Sequence, residues 1–128
     1  MFQQITKGIK VSVRTRYNGI THRGYVRYYA FSYFITIENK SENTVQLLER
    51  YWEIFDALNN IERVSGEGVV GQTPIIKPND IYNYQSNCLL LSPIGAMGGK
   101  YKMINLTSSK KFFATIPTFQ LTTISTKN

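Results

Sequence analysis

Hydrophobic and polar residues alternate along most of the chain, which is the pattern of half-buried β-strands. From Ile9 to Thr15, apolar positions alternate with lysine, serine and arginine, which predicts a strand with a basic outer face. The segment from Tyr28 to Glu38 is denser in aromatic and β-branched residues and predicts a central strand that is buried on at least one side. One of its faces is expected to carry Tyr29, Phe31, Tyr33, Ile35 and Ile37.

The segment from Val45 to Leu58 is the one place where the pattern is ambiguous. Its apolar residues recur at helical spacing, but the same run also places Gln46, Leu48, Arg50, Trp52 and Ile54 on one face of a strand. Periodicity alone does not separate the two structures. We favour a strand, because the surrounding pattern is that of strands and because of the family resemblance described below.

Turn residues divide the chain into short segments. Asn18-Gly19 is a strong hairpin signal, and Lys77 to Asp80 carries a proline at the second turn position. Ser92 to Gly95 is expected to open a loop whose glycines continue to Gly99, and Pro117 is expected to end regular strand pairing. The result is about seven or eight strands at fairly regular spacing, which predicts an all-β sandwich or barrel.

Length and composition fit a single domain over residues 1–128. The chain has 128 residues, of which 42% are apolar and 13% aromatic, enough to bury a core without a covalent staple. Residues 122–128 are polar and are expected to fray. The single cysteine excludes an intrachain disulfide, and we find neither a signal peptide nor an apolar run long enough for a membrane helix. These features predict a soluble, cytoplasmic protein with no membrane insertion.

The net charge of +7 is unevenly distributed. Residues 1–37 and 81–128 contain basic residues and no acid, whereas all eight acids lie in residues 38–80. If the two ends of the chain meet in space, they form a positive face that attracts anions, acidic proteins or nucleic acid. A solvated surface that maintains solubility is the favoured interpretation, and nucleic-acid binding is disfavoured because no recognised motif is present.

A glycine-rich segment has the spacing of a dinucleotide-binding fingerprint, G-x-G-x-x-G, at Gly66, Glu67, Gly68 and Gly71. That fingerprint requires a helix immediately afterwards, because the helix N-terminus holds the pyrophosphate. Here Pro74 follows and no helical pattern is present. We therefore expect a structural bulge or loop, and keep a backbone nest that binds an anion as the alternative.

The sequence contains no convincing set of catalytic or metal-binding residues. His22 is the only histidine and is distant in sequence from Cys88, so that zinc, cobalt and nickel lack their usual ligands. Cys88 precedes three leucines and is expected to be a buried small hydrophobe. No serine lies in the context of a nucleophile elbow. We expect no enzyme activity, no cofactor and no metal.

Two groups of residues are candidates for contact with a protein partner. Arg50 and Trp52 are two residues apart and share a strand face. The favoured interpretation is that Trp52 fills the core while Arg50 caps it or pairs with an acid such as Glu67; near an exposed edge, the two would form a binding hot spot. A second patch of Pro93, Ile94 and Met97 is expected in the glycine-rich loop, where exposed apolar residues suit protein binding.

Several segments together resemble the ApaG family and cover nearly the whole chain in the family's order. They are Val11 to Tyr17, Val45 to Trp52, Gly66 to Pro74, Leu91 to Tyr101 and Ile116 to Leu121. The sequence departs from the family pattern at Asn79 and Asn87, where glycine is usual. Asparagine also tolerates a positive φ, so neither change threatens the fold.

The resemblance implies an immunoglobulin- or fibronectin-III-like β-sandwich. It also implies a link with cobalt resistance and magnesium efflux, which we interpret as indirect, and a role as an interaction module. The leading hypothesis is therefore a non-enzymatic protein-interaction domain of unidentified partner, with a homodimer through an edge strand as a variant. The alternative is a small-ligand binder that holds a phosphate or nucleotide at Gly66 to Gly71.

Overall fold

The computed structural model describes residues 1–58 and 61–124, and within these ranges the chain is all β and contains no helix. The sequence prediction of an all-β sandwich is confirmed. The prediction of a frayed tail from residue 122 falls largely on residues 125–128, which lie outside the described ranges. The nine strands are β1 (Phe2–Thr6), β2 (Ile9–Arg23), β3 (Val26–Asn39), β4 (Val45–Asp56), β5 (Glu62–Glu67), β6 (Ile75–Ile76), β7 (Ile81–Leu90), β8 (Ile94–Asn105) and β9 (Lys111–Thr122).

The strands form two antiparallel sheets. The first has the order β1-β2-β3-β7, and the second has the order β5-β4-β8-β9, with the short strand β6 also paired to β4. The expected central strand is β3, which lies between β2 and β7. It is held at its end by Asn39, whose side-chain amide donates to the carbonyl oxygens of Asn43 and Ile76.

The core lies between the inner faces of the two sheets. Alternation along β3 directs Phe31, Tyr33, Ile35 and Ile37 inward, as the sequence predicts, and each is less than 7% exposed. The second sheet contributes Trp52, Tyr101 and Phe119, whose rings fill the space opposite. Tyr33, Trp52 and Phe119 are mutually in contact, with ring centroids 5.4 to 5.9 Å apart. Burial of such large rings is the main stabilising contribution.

The segment that resembled both helix and strand is strand β4, and a β-bulge explains its ambiguous pattern. The pairing of β4 with β8 shifts register between Leu47 and Glu49, so one extra residue is inserted there. Leu47 and Trp52 consequently both point into the core although they are five residues apart. The prediction that Gln46 and Trp52 share a face is therefore wrong, whereas Arg50 and Trp52 do share one.

Two of the predicted chain breaks are also bulges inside long strands. Asn18-Gly19 does not form a turn, because β2 continues to Arg23 and shifts register against β3 at Gly19, whose φ is 99°. Pro117 does not end pairing, because β9 continues to Thr122 and absorbs the proline at a register shift opposite Gly98. Both residues mark irregular strand positions, and a bulge accommodates each of them without ending the strand.

The turn before β7 agrees with its sequence. The amide of Asp80 donates to the carbonyl oxygen of Lys77 over 3.0 Å, and Pro78 occupies the second position. Asn79 adopts a φ of 70°, a conformation that glycine and asparagine tolerate better than other residues. The asparagine that replaces the usual glycine at this position is thus compatible with the turn.

Candidate functional site

The two long sides of the sandwich differ in how they are covered. On one side, here called the closed edge, β1 lies along β9, and the amide of Thr115 donates to the Thr6 hydroxyl over 3.2 Å. On the other side, the open edge, β7 ends the first sheet and β5 ends the second. Among the described residues, β5 and β7 have no contact comparable with that of β1 and β9. The open edge is therefore the side on which the edge strands of the two sheets do not close against each other.

Arg50 is a charged residue that reaches the open edge from the inside. It lies on the same face of β4 as Trp52, directed toward the gap between the sheets. Its Nη1 atom donates to the carbonyl oxygens of Glu67 and Gly68, at 2.8 and 3.0 Å. Of the two expectations from sequence, Arg50 caps the core; its contact with Glu67 is to the main-chain carbonyl oxygen, and the described residues contain no ion pair of Arg50 with that carboxylate.

The glycines of the G-x-G-x-x-G segment give the chain room to wrap around Arg50. A Cβ on Gly66 would lie 2.9 Å from Nη2 of Arg50, and a Cβ on Gly68 would collide with the carbonyl oxygen of Gln72. Val70 and Gly71 form a tight turn with positive φ at both residues, closed by reciprocal main-chain bonds between Val69 and Gln72. A hairpin turn, and no helix, follows the glycines.

Several of the amides that an anion nest would use already have partners. The Gly68 amide donates to the carbonyl oxygen of Leu48 over 2.8 Å, and the amides of Val69 and Gln72 donate to each other's carbonyl oxygens. A backbone nest needs successive amides directed at a ligand. Gly66, Glu67 and Gly68 instead contact the Arg50 guanidinium, and Gly71 belongs to the turn that follows them.

A cleft of about 300 Å³ opens beside this guanidinium, and we call it the Arg50 cleft. Burial raises the pKa of the Tyr33 and Tyr84 hydroxyls above the already alkaline value of tyrosine, so neither hydroxyl supplies a negative charge to the cleft. Val70 adds an apolar wall that is 61% exposed. The residues that line the cleft are Tyr33, Arg50, Trp52, Val69, Val70, Tyr84, Gln85, Ser86 and Asn87.

Trp52 contributes to this cleft only as part of its floor. It is 4% exposed and packs between Tyr33 and Phe119, with the Phe119 ring edge-on at 89°. The favoured expectation that Trp52 fills the core is confirmed. The alternative of an exposed hot-spot pair with Arg50 is wrong for Trp52, because little of its surface can reach a partner.

The second predicted contact patch is dispersed by the fold. Residues from Ile94 onward form strand β8, and the expected loop is limited to the bend around Pro93. Met97 is 2% exposed in the core, so its expected exposure in a loop is wrong, whereas Ile94 is 42% exposed. The glycines belong to the strand because neighbours approach closely: a Cβ on Gly99 would collide with the Tyr51 carbonyl oxygen.

Groups with catalytic or metal-binding potential are not gathered into one site. Within residues 1–58 and 61–124, no group of three or more His, Cys, Asp and Glu could hold a metal ion. Cys88 is 7% exposed, and burial raises its pKa to about 12, as expected for an inert buried thiol. Ser92 is 2% exposed, and its hydroxyl lies 2.7 Å from the Asp56 carboxylate. Asp56 also accepts from the amide of Leu91, so this contact ties two strand ends together.

Sequence reasoning missed most of the cleft. The pattern predicts Tyr33 on one face of a buried strand, but it does not predict that Tyr84 or Gln85 lines a site. The available signal was the alternation along β7, where tyrosine and serine alternate with asparagine and glutamine. That pattern indicates one face toward the interior and one toward water, but it does not reveal that β7 is an edge strand beside Arg50.

These features define a small two-sheet β-sandwich domain with one closed and one open edge. Within the described residues, no helix is long and apolar enough to cross a membrane. A family model described as the ApaG domain matches residues 21–105. A protein named Protein ApaG from Brucella canis is 39% identical to this chain, and one of the same name from Mesorhizobium japonicum is 41% identical. Both alignments cover 94% of this chain and 92% of the relative. The chain belongs to the ApaG family.

Solved structures agree with this assignment. The X-ray structure of a Northeast Structural Genomics Consortium target has a TM-score of 0.86 and 40% identity, covering 94% of this chain and 90% of that one. The crystal structure of a Bordetella pertussis protein described as ApaA has a TM-score of 0.77 and 31% identity, covering 94% of both chains. The resemblance inferred from sequence motifs is confirmed, and the names of the curated relatives state no enzymatic activity.

Proposed function

We propose that this protein is a non-enzymatic protein-interaction module that binds an extended segment of a partner along the open edge. The single observation that carries the proposal is the position of edge strand β7 beside the Arg50 cleft. Strand addition at such an edge gives affinity through main-chain hydrogen bonds, and pockets for alternate side chains give specificity. The open edge offers both elements.

The main-chain donors of β7 divide into two sets. The amide of Asn39 donates to the carbonyl oxygen of Asp80, and antiparallel pairs alternate in this respect. Tyr82, Tyr84 and Ser86 therefore bond to β3, whereas the main-chain groups of the intervening residues point away from the sheet. Those residues, Asn83, Gln85 and Asn87, are exposed. A partner strand would pair with their amides and carbonyl oxygens.

Arg50 gives the site a chemical preference. A guanidinium has five donor hydrogens, and in Arg50 only Nη1 donates to the main chain of Glu67 and Gly68. The described residues provide no carboxylate in an ion pair with Arg50. A strand added to β7 would direct alternate side chains toward the cleft, where a carboxylate can receive charge-assisted hydrogen bonds. We therefore expect an acidic side chain in the partner segment.

The edge can be tested with a random dodecapeptide library displayed on phage. Gln85→Pro removes one outward-pointing amide while leaving the bonds to β3, and Gln85→Ala is the matched control that keeps the amide. We expect the wild type and Gln85→Ala to enrich peptides containing Asp or Glu, and Gln85→Pro to bind the selected peptides at least about tenfold more weakly. Equal binding by Gln85→Pro would contradict the proposal.

Self-association is a distinct outcome of the same edge. A second copy of the chain could pair through β7 instead of a foreign segment, since unpaired edges also join identical strands. Sedimentation velocity of the wild type and Gln85→Pro at rising concentration separates the two cases. A dimer that only the wild type forms would replace the heterologous partner with a second copy.

The family association with cobalt resistance and magnesium efflux would, on this proposal, operate through the bound partner in the cytoplasm.

Binding of a phosphate or nucleotide at Gly66 to Gly71 is a weaker alternative, because amides of that segment already donate hydrogen bonds within the protein. Titration with ATP while backbone amide shifts are recorded tests it. Saturable shifts concentrated at Gly66, Gly68 and Gly71 would favour the alternative over the module.

A further inference from the structure

The two chain segments that contain basic residues and no acid, residues 1–37 and 81–128, meet at one end of the sandwich. Lys7 lies in the turn between β1 and β2, and Lys110 and Lys111 lie where the β8–β9 turn enters β9. All three line a pocket of about 300 Å³, which we call the lysine pocket. Its other lining residues are Ser41, Asn43, Val45, Asn105, Ser108 and Phe112, so no acid lines it. The pocket lies apart from the open edge and shares no residue with the Arg50 cleft.

The walls of the lysine pocket are held by hydrogen-bonded turns. Asn39 is fully buried, and its Oδ1 accepts from the amide of Ser41 at 2.9 Å, which fixes the loop on one side. Asn105 Oδ1 accepts from the amides of Thr107 and Ser108 at 2.9 and 3.1 Å on the other side. A pocket built on such turns is preorganised, so less free energy is spent on ordering it when a ligand binds.

Lys7 is positioned by its own turn and by an aromatic ring. Its φ of 49° and the φ of 82° at Gly8 form a tight hairpin turn that presents the side chain toward the pocket. Its Nζ lies 6.0 Å from the centroid of the Phe112 ring, at the limit of a cation–π contact. Glu42 is in the neighbouring loop, but it neither lines the pocket nor forms an ion pair within the described residues.

We propose that the lysine pocket is a binding site for a compact polyanion of the diphosphate type. Three lysines line one small space with no acid among the lining residues, so their positive charges add there, and an anion carrying several charges is attracted to it. Lysine binds phosphate oxygens as a point charge with three donors, and the hydroxyls of Ser41 and Ser108 add polar groups beside them. Pyrophosphate is small enough for the volume and carries enough charge to engage all three lysines.

The test is a titration of the full-length protein with inorganic pyrophosphate while backbone amide shifts are recorded. We expect saturable shifts at Lys7, Gly8 and residues 108–111. The variant K7N/K110Q/K111Q removes three charges and keeps a residue that tolerates positive φ at position 7. The control K10Q/K100Q/K102Q removes the same charge on the outer faces of the sheets. We expect about tenfold or greater loss of affinity in the first variant and less than about twofold in the control.

This inference would be overturned by equal loss of affinity in both variants, by shifts spread evenly over the basic surface, or by the absence of saturation. Shifts centred on Gly66 to Gly71 would instead support an anion nest at that segment. Lys7, Lys110, Lys111 and Lys100 are exposed, and Lys10 and Lys102 are half-buried, so we expect both variants to fold, and their amide spectra check it. Titration with sulfate at matched ionic strength separates recognition of a diphosphate from general anion attraction, since equal affinity for sulfate would also contradict the proposal.

Discussion

The closed and open edges of the sandwich differ in what fills the gap between the two sheets. At the closed edge, β1 lies along β9 and Phe2 contacts Phe119, with ring centroids 6.4 Å apart. At the open edge, the gap is occupied by Arg50 and by the hairpin that wraps around it. The first edge excludes water with apolar contacts, and the second keeps a charged group and unpaired strand donors near the surface.

The difference shows which edge is available for binding. Unpaired strand edges are a hazard in natural proteins and are usually covered or charged. Here one side is covered by a strand, whereas β7 carries a row of exposed amide side chains on its outer face. The asymmetry is the physical basis for assigning interaction to the open edge.

Phe119→Ala should cause the largest loss of stability, because Phe119 is fully buried between Trp52, Tyr33 and Phe2. We expect the free energy of unfolding to fall by about 3–5 kcal/mol, as for other large-to-small changes of buried aromatics. Urea denaturation measures it. Phe113→Ala on the outer face, where the ring is 44% exposed, is the control and should cost less than about 1 kcal/mol. Equal losses would mean that the aromatic cluster is not the core of the closed side.

Proline substitutions at adjacent β7 positions should have very different effects. Ser86→Pro removes a bond to β3 and should lower the free energy of unfolding by about 3 kcal/mol, whereas Gln85→Pro should change it by less than about 1 kcal/mol. Chemical denaturation of both variants gives the comparison. A larger loss for Gln85→Pro would show that the amide assigned to the open edge is bonded within the sheet.

Arg50→Met should destabilise the wall of the cleft while leaving the sheets intact. The change removes charge-assisted bonds to the carbonyl oxygens of Glu67 and Gly68, and we expect a loss of about 2 kcal/mol. Arg63→Met is the matched control, since Arg63 forms a surface ion pair with Glu53, and it should cost less than about 0.5 kcal/mol. Equal stability of Arg50→Met and Arg63→Met would contradict the bracing role of Arg50.

Alkaline pH should destabilise the protein partly through Cys88 on strand β7. Burial raises the pKa of this thiol from 9.0 to about 12, so its contribution to stability is complete below pH 9 and is lost as the pH rises toward 12. Between pH 9 and 10 the free energy of unfolding of the wild type should fall faster than that of Cys88→Ala, by about 1 kcal/mol per pH unit. Parallel curves from urea denaturation would mean that the thiol is accessible at the open edge.

The regular parts of the fold were predictable, because alternation along a strand directly reports which residues are buried. The inward face of β3 was identified residue by residue, and the turn at Lys77 to Asp80 follows from its proline and asparagine. The failures share one physical cause. At Gly19, at Leu47 and beside Pro117 the strand continues through a bulge, which inserts a residue and reverses the alternation on which the prediction relies.

The site was only partly predictable because it depends on which strands meet in space. Arg50 was identified from its spacing to Trp52, but its partners are carbonyl oxygens that sequence does not distinguish. Two glycine-rich segments had similar compositions and different outcomes. Gly66 to Gly71 forms a strand end and a turn, whereas Gly95, Gly98 and Gly99 lie within strand β8. Local composition indicates close approach of main chains but not which neighbour approaches.

Residue-resolved amide hydrogen exchange on dilute protein tests the open edge most directly. If β7 is an unpaired edge, the amides of Asn83, Gln85 and Asn87 exchange rapidly, and those of Tyr82, Tyr84 and Ser86 are protected by their bonds to β3. Protection should therefore alternate strictly from residue to residue along β7. Uniform protection of all six amides would contradict it, because the donors assigned to a partner strand would then already be bonded.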